Sequence, residues 1–126
     1  MSAAQVMARP ILVVDDDGDV REALSSVLES EGYDVVTAIN GADALAHLRA
    51  ATTTPCVILL DLMMPVMDGF RFRSEQTSDL ALSAIPVILL TADGNAQQKA
   101  ATLGTAGFLK KPVDLDVLLD AVKCHC

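Results

Sequence analysis

The chain has 126 residues, a net charge of −8 and four aromatic residues, none of them tryptophan. This length suits one domain with one core, and so acidic a surface disfavours direct binding to nucleic acid or to an anionic membrane. The apolar runs are too short to span a membrane, and the N-terminus lacks the basic and apolar segments of a secretion signal. We therefore expect a cytoplasmic protein with a flexible leader over residues 1–9 and a folded domain over residues 10–124.

The first half of the chain alternates strand and helix patterns. Residues 11–14 form an unbroken apolar run, which is typical of a parallel strand covered on both faces. The next segment has an apolar stripe at helical spacing and a terminating Gly32; the stripe comprises Val20, Ala23, Leu24, Val27 and Leu28. A weaker strand at 33–38 and a short helix at 41–50 follow, the helix with Ala44, Leu45 and Leu48 expected to face inward.

The second half repeats the alternation. Residues 57–60 and 87–90 predict two further buried strands, and residues 107–110 a weaker one. The segment 70–84 begins with apolar residues and then turns polar, so we expect a helix that loosens towards Leu80. Asp114 suits the N-cap of a last helix, whose expected inward side chains are Leu115, Leu118, Leu119 and Val122.

The three cysteines are too few, and odd in number, for a disulfide framework, which favours a reducing compartment. Cys56 precedes a predicted strand and is expected to act as a small apolar residue. The ending "KCHC" could hold a soft metal, but a tail without a partner cluster is more typical of a frayed terminus.

Five alternating βα units predict a single doubly wound α/β domain with a parallel sheet in the order 2-1-3-4-5. Ligands of such sheets bind beyond the carboxyl ends of the strands, at the switch point between strands 1 and 3. Asp15 and Asp16 follow strand 1, Asp61 follows strand 3, Thr91 follows strand 4 and Lys111 follows strand 5. These side chains are therefore expected to converge.

Each of these residues also has a purely structural explanation, as a helix cap, a turn residue or part of a solvated loop. Their coincidence at four strand ends favours a site. Grouped carboxylates raise one another's pKa unless a cation intervenes, and Mg²⁺ prefers carboxylate oxygens and water. An aspartate beside Mg²⁺, with a lysine and a threonine opposite, could act as a nucleophile in phosphoryl transfer and form an acyl phosphate.

Four motifs, "ILVVDDD", "DLMMPVMDG", "LLTA" and "GFLKKP", give the chain a resemblance over residues 10–123 to the response-regulator receiver domain of bacterial two-component signalling. The resemblance implies a flavodoxin-like (βα)5 fold. It also implies a phosphorelay protein that takes a phosphoryl group from a histidine kinase or histidine-phosphotransfer protein, without being an enzyme that turns over a separate substrate.

The same resemblance implies roles for individual residues. Asp61 would be the phosphoacceptor, and Mg²⁺ or Mn²⁺ would be held by Asp15, Asp16, Asp61 and the backbone carbonyl of Met63, with Asp16 the more direct ligand of the acidic pair.

Three further roles concern the following strands. Thr91 would hydrogen-bond the phosphoryl group, and Lys111 would pair with it, leaving Lys110 as an exposed neighbour. The Lys111–Pro112 peptide bond would be cis, and Phe108 would be the aromatic residue whose rotamer follows phosphorylation.

The chain departs from the family pattern at several points. The span from Thr91 to Lys111 is short, which predicts a clipped helix 4 or an altered loop before it. Gly18 is expected to loosen the start of helix 1, and the polar run in helix 3 to weaken its packing. Met63 and Asp93 hold the positions that flank the water attacking the phosphoryl group, and Met63 hydrogen-bonds water poorly. This predicts a persistent phosphoryl state.

Two other functions fit the sequence less well. A receiver fold used as an unphosphorylated scaffold would not need all the acidic residues, Thr91 and Lys111. A flavodoxin would have a Ser/Thr/Gly-rich loop after strand 1, where "DDDGD" stands, and an aspartate-nucleophile phosphatase would have a second aspartate where Met63 stands.

Overall fold

Strands and helices alternate along the chain in the computed structural model, which describes residues 9–92 and 94–126. The elements are β1 Ile11–Val14, α1 Gly18–Ser30, β2 Val35–Ala38, α2 Gly41–Ala50, β3 Val57–Asp61, α3 Gly69–Thr77, β4 Val87–Thr91, α4 Ala96–Leu103, β5 Gly107–Lys110 and α5 Leu115–Lys123. Apart from Arg9, the predicted leader lies outside the described residues. None of the described helices is long and apolar enough to cross a membrane.

The strands form one parallel sheet in the order β2-β1-β3-β4-β5, which confirms the predicted topology. The central pairing sets Val14 opposite Leu60, and the next sets Asp61 opposite Leu90. Thr91 is paired with Lys110. The ends of β1, β3, β4 and β5 therefore reach the same edge, here called the carboxyl edge of the sheet.

Helices cover both faces of the sheet, which explains the unbroken apolar runs. On one face Leu12 and Val14 belong to a core with Ala44, Leu45 and Phe72. On the other, Ile11 and Val13 belong to a core with α1 and α5; its helical members include Leu24, Leu28, Leu118 and Val122.

Of the helix residues predicted to face inward, all but Ala23 and Leu115 are buried or partly buried. Ala44, Leu45 and Leu48 of α2 are buried as expected. Ala23 of α1 is exposed, and Leu115 of α5 is 45% exposed. Leu115 is the first residue of its helix, and the buried residues Leu118 and Val122 lie further along it.

Helix α3 ends at Thr77, and Leu80 beyond it is 93% exposed. This agrees with the expectation that the helix loosens towards Leu80. The prediction that its polar run weakens the packing is wrong. Gln76 is fully buried, and its amide nitrogen donates to the carbonyl oxygens of Leu82 and Ile85, each at 3.0 Å. A buried amide with these partners attaches the helix to the loop that follows it.

Arg73 makes a second attachment from the same polar run. Its guanidinium donates to the carbonyl oxygens of Leu103 at 2.9 Å and Gly104 at 2.8 Å, and to Oε1 of Gln76 at 2.8 Å. Burial lowers the pKa of Arg73 below its usual value. The side chain links α3 to the C-terminal end of α4.

The expectations for the cysteines are also wrong. Cys56 and Cys126 form a disulfide bond across 70 positions of sequence, with their Cα atoms 5.5 Å apart. The bond forms because α5 runs back towards the end of the sheet where β3 begins, a proximity that residue spacing does not reveal. Cys124 is exposed and free.

Candidate functional site

Three carboxylates meet at the carboxyl edge. One oxygen from each of Asp15, Asp16 and Asp61 lies within 4.8 Å of the others. Asp15 is fully buried and Asp61 is 6% exposed, whereas Asp16 is exposed. The three line a cavity of about 580 Å³ together with Thr91 and Lys111.

The three aspartates after β1, at positions 15 to 17, have different roles. Asp17 caps α1, since its Oδ1 accepts hydrogen bonds from the backbone N–H groups of Asp19 at 2.9 Å and Val20 at 3.3 Å. Asp15 Oδ1 accepts from the N–H of Asp17 at 2.9 Å. Asp17 therefore caps the helix through one oxygen and also lines the cavity beside Asp15 and Asp16.

Lys111 supplies positive charge between the aspartates. Its Nζ lies 2.8 Å from Oδ2 of Asp15 and 3.6 Å from Oδ2 of Asp61. Burial on its own would lower the pKa of Lys111, but the hydrogen bond to Asp15 and the nearby negative charges outweigh it and raise the pKa. The ammonium stays charged. Its neighbour Lys110 is exposed, and the Lys111–Pro112 peptide bond is cis.

Asp61 has an unusually high pKa of about 6, against 3.8 for the ordinary side chain. Burial is the largest cause, followed by the charge of Asp15, with Asp16 adding a smaller effect. Lys111 and the N–H of Met63, 3.3 Å from Oδ1, act in the opposite direction. The expected repulsion among carboxylates is present but is second to burial. A cation in the cavity would favour the ionised carboxylate.

The position of Asp61 depends on a glycine in the next helix. A Cβ on Gly69 would lie 2.6 Å from the backbone oxygen of Asp61 and 2.8 Å from Cα of Leu62. The N–H of Gly69 donates to the carbonyl oxygen of Leu62 at 2.9 Å, and Asp68 caps the helix by accepting from the N–H of Arg71. Helix α3 therefore begins directly against the end of β3.

A tight turn separates Asp61 from that helix. The N–H of Met67 donates to the carbonyl oxygen of Pro65 at 2.8 Å, and Val66 between them has a φ of 70°. This is a γ-turn with a β-branched residue in the left-handed region, which is strained. Met63, which lines the cavity, is 74% exposed, and Val66 is 83% exposed.

The remaining predicted residues lie on β4 and β5. Thr91 ends β4, is 5% exposed and lines the cavity. Phe108 on β5 is partly buried against the core that also contains Phe72. Asp93 lies outside the described residues.

Sequence reasoning missed Lys99. This residue of α4 lines the same cavity, and its Nζ lies 5.9 Å from the centroid of the Phe70 ring. Helix α4 has eight residues. The short span after Thr91 is the signal that could have identified Lys99, because it brings α4 close to the end of β4.

Comparison with known proteins identifies the family of the chain. The family model described as the response regulator receiver domain matches residues 11–123. The chain is 36% identical to protein PilG of Pseudomonas aeruginosa over 91% of its length and 85% of that protein. It is 45% identical to response regulator PleD of Caulobacter vibrioides, over 91% of this chain and 25% of PleD. The solved structure of chemotaxis protein CheY4 of Vibrio cholerae superposes with a TM-score of 0.84 at 31% identity, covering 94% of this chain and 99% of that one.

Proposed function

Because the chain belongs to the response regulator receiver domain family, we propose that it accepts a phosphoryl group on Asp61, in the cytoplasm, from a histidine kinase or histidine-phosphotransfer protein. One observation supports this most directly. Asp61, nearly buried at the end of the central strand, lies 3.6 Å from the Lys111 ammonium and beside two further carboxylates. A carboxylate used only as a turn residue would not need these neighbours.

The proposed reaction uses the ionised form of Asp61, which predominates above its pKa of about 6. An Oδ atom attacks the phosphorus of the donor phosphohistidine, forming a P–O bond while the P–N bond breaks and its electron pair returns to the imidazole nitrogen. Lys111 would then pair with the phosphoryl oxygens, since its Nζ already lies near Asp61. Positioning and charge neutralisation by such groups supply most of the rate in phosphoryl transfer.

The three carboxylates suit a hard divalent cation such as Mg²⁺ or Mn²⁺, because all the donors are oxygens that lie within 4.8 Å of one another. Asp15 is already paired with Lys111 at 2.8 Å, which supports exposed Asp16 as the more direct ligand, with Asp61 and the carbonyl of Met63 completing the protein's share. When bound, the ion would neutralise negative charge on the phosphoryl oxygens.

A switch would carry the modification to the surface. The Thr91 hydroxyl would donate a hydrogen bond to the phosphoryl group, and Phe108 would take the space that Thr91 leaves, shifting an existing equilibrium. The two residues lie on adjacent strands, where Thr91 pairs with Lys110 and Leu89 with Phe108.

Met63 would also lengthen the life of the phosphoryl group. Its thioether lines the cavity and is a weak hydrogen-bond acceptor, so it holds an attacking water poorly. Met63→Asn should therefore hasten the decay of phosphorylated protein, followed by intact mass after the donor is removed. Equal lifetimes in the two proteins would reject this role.

The direct test compares wild type with Asp61→Asn in acetyl phosphate and Mg²⁺, with the covalent adduct measured by intact mass and the binding of beryllofluoride by calorimetry. Wild type should gain both responses, and the variant should lose both. Asp17→Asn is the matched control, because it removes an acidic charge next to the site and keeps the helix cap. Identical behaviour of wild type and Asp61→Asn would reject the proposal in favour of a scaffold role.

A further inference from the structure

The disulfide bond lies at the end of the sheet opposite Asp61, and the proposed phosphoryl chemistry does not use it. It joins Cys56, the residue directly before β3, to Cys126. Cys56 is 5% exposed, whereas Cys126 is exposed. The bond therefore has one buried cysteine and one that lies at the surface.

The surroundings of Cys56 also suit a reduced sulfur. Its Sγ lies 3.6 Å from the backbone carbonyl oxygens of both Arg9 and Pro10. A disulfide sulfur has no hydrogen to donate, but a thiol at this position would have two acceptors within reach. The N–H of Cys56 donates separately to the carbonyl oxygen of Pro10 at 3.0 Å. Cys56 can thus change oxidation state without losing its place before β3.

Cys126 belongs to a turn that follows α5. The N–H groups of His125 and Cys126 donate to the carbonyl oxygen of Val122, at 3.0 Å and 2.9 Å. Cys124 and His125 line a cavity of about 270 Å³ that Ile88 and Phe108 also border. The bond to Cys56 is the covalent link that holds this turn against the sheet.

We propose that Cys56 and Cys126 form a thiol–disulfide switch that fixes or releases the C-terminal end of α5, a redox input separate from Asp61. Accessible disulfides are the labile ones, and in reducing compartments disulfides are usually transient and redox-sensing. The exposed position of Cys126 fits that class. The input would act on α5, whose Leu118 and Val122 belong to the same core as strand residues of the sheet such as Val57 and Leu59.

The co-reactant is a dithiol reductant. One of its thiolates attacks Sγ of Cys126; the bond to Cys56 breaks, and Cys56 leaves as a thiolate and takes a proton. The second thiol of the reductant attacks the mixed disulfide, releasing Cys126 as a thiol and leaving the reductant as a disulfide. Two electrons pass to the protein. Oxidised glutathione, a disulfide oxidant, reverses the steps.

The first measurement counts free thiols in the full chain under denaturing conditions. After treatment with oxidised glutathione and removal of the reagent, wild type should show one thiol, that of Cys124, and after dithiothreitol it should show all three. Cys124→Ser, the matched control, should show none and then two. Three thiols in wild type after oxidation would overturn the proposal.

The second measurement follows hydrogen exchange of the amides of His125 and Cys126 by NMR in the oxidised and reduced protein. Reduction should cause a loss of protection there in wild type and in Cys124→Ser. Cys126→Ser, which removes the bond from its exposed side and leaves the core at Cys56 intact, should resemble reduced wild type under both conditions. Equal protection in oxidised and reduced wild type would overturn the switch while leaving the bond in place. Because Asp61→Asn should respond to reduction as wild type does, failure of this proposal is distinguishable from failure of the proposed function.

Discussion

The two ends of β3 contrast sharply, although only four residues lie between the cysteine before the strand and the aspartate at its end. At the carboxyl edge, Asp61 is crowded by Asp15 and Asp16, and a strained turn follows it. At the opposite edge, Cys56 is held by a disulfide bond and by a backbone hydrogen bond to Pro10.

Hydrogen bonds reinforce that opposite edge. Arg9 donates to the carbonyl oxygens of Thr54 at 2.9 Å and Pro55 at 2.7 Å. The carboxyl edge thus contains repulsive interactions among aspartates that could serve a reaction. The disulfide bond and the hydrogen bonds at the opposite edge stabilise the fold and offset them. Active sites commonly hold such unfavourable arrangements because the surrounding structure enforces them.

The largest expected effect comes from removing the disulfide bond at the edge opposite Asp61. Cys126→Ser should lower the free energy of unfolding by about 4 kcal/mol, because the bond closes a long loop in the unfolded chain. The loop spans 70 positions. Urea unfolding of the oxidised proteins measures the difference, and Cys124→Ser should stay close to wild type. A similar loss in both variants would show that the disulfide is not its cause.

Removing the positive charge of Lys111 at the carboxyl edge should have the next largest effect on stability. Lys111→Met leaves fully buried Asp15 without its ion-pair partner, and this should cost about 3 kcal/mol of stability in the absence of divalent cations. Lys110→Met, at the exposed neighbouring position, is the control. Urea unfolding in EDTA compares them, and equal stabilities would mean that Lys111 does not compensate the carboxylates.

Removing the buried charge of Asp61 itself should stabilise the protein. The pKa of Asp61 is about 6 in the folded state against 3.8 ordinarily, so ionisation destabilises the fold above pH 6, and the effect disappears as pH falls towards 3.8. The full shift corresponds to about 3 kcal/mol, and solvent in the open cavity reduces this to about 2 kcal/mol. Asp61→Asn should therefore gain that much over wild type at pH 8 in EDTA, but not at pH 4. A gain independent of pH would contradict this origin.

The smallest expected effect concerns the turn. Val66→Asn should raise stability by about 1 kcal/mol, because asparagine tolerates the left-handed conformation better than a β-branched residue. Val66→Thr keeps the β-branch and should not gain. Thermal unfolding of the three proteins tests this, and equal gains for both variants would point to side-chain polarity instead of backbone strain.

The site residues at the carboxyl edge were predictable from the sequence, whereas the disulfide bond at the opposite edge was not. Asp15, Asp61, Thr91 and Lys111 each follow a strand, so the parallel topology alone brings them to one edge. Cys56 and Cys126 have no shared periodicity, and only the return direction of α5 brings them together. Lys99 was missed for a related reason, since its contact with the cavity depends on where the shortened α4 lies.

Polar residues inside helices were the other source of error. Arg73 and Gln76 stand in a segment that is polar throughout, which suggests a solvated surface. Their hydrogen bonds go to the backbone carbonyl groups of Leu82, Ile85, Leu103 and Gly104. The sequence does not show which carbonyl groups are free to accept them. Patterns of apolar residues identify a core, but they do not identify polar contacts to the main chain.

The Arg73 contact has a mechanical consequence. It holds the carbonyl groups at the C-terminal end of α4, while Lys99, in the first turn of α4, lines the cavity together with Thr91. Because Arg73 fixes the C-terminal end of α4, a displacement of this helix would be largest at its N-terminal end, beside the cavity. Because α3 carries Arg73, any movement that does reach the fixed end is shared between the two helices.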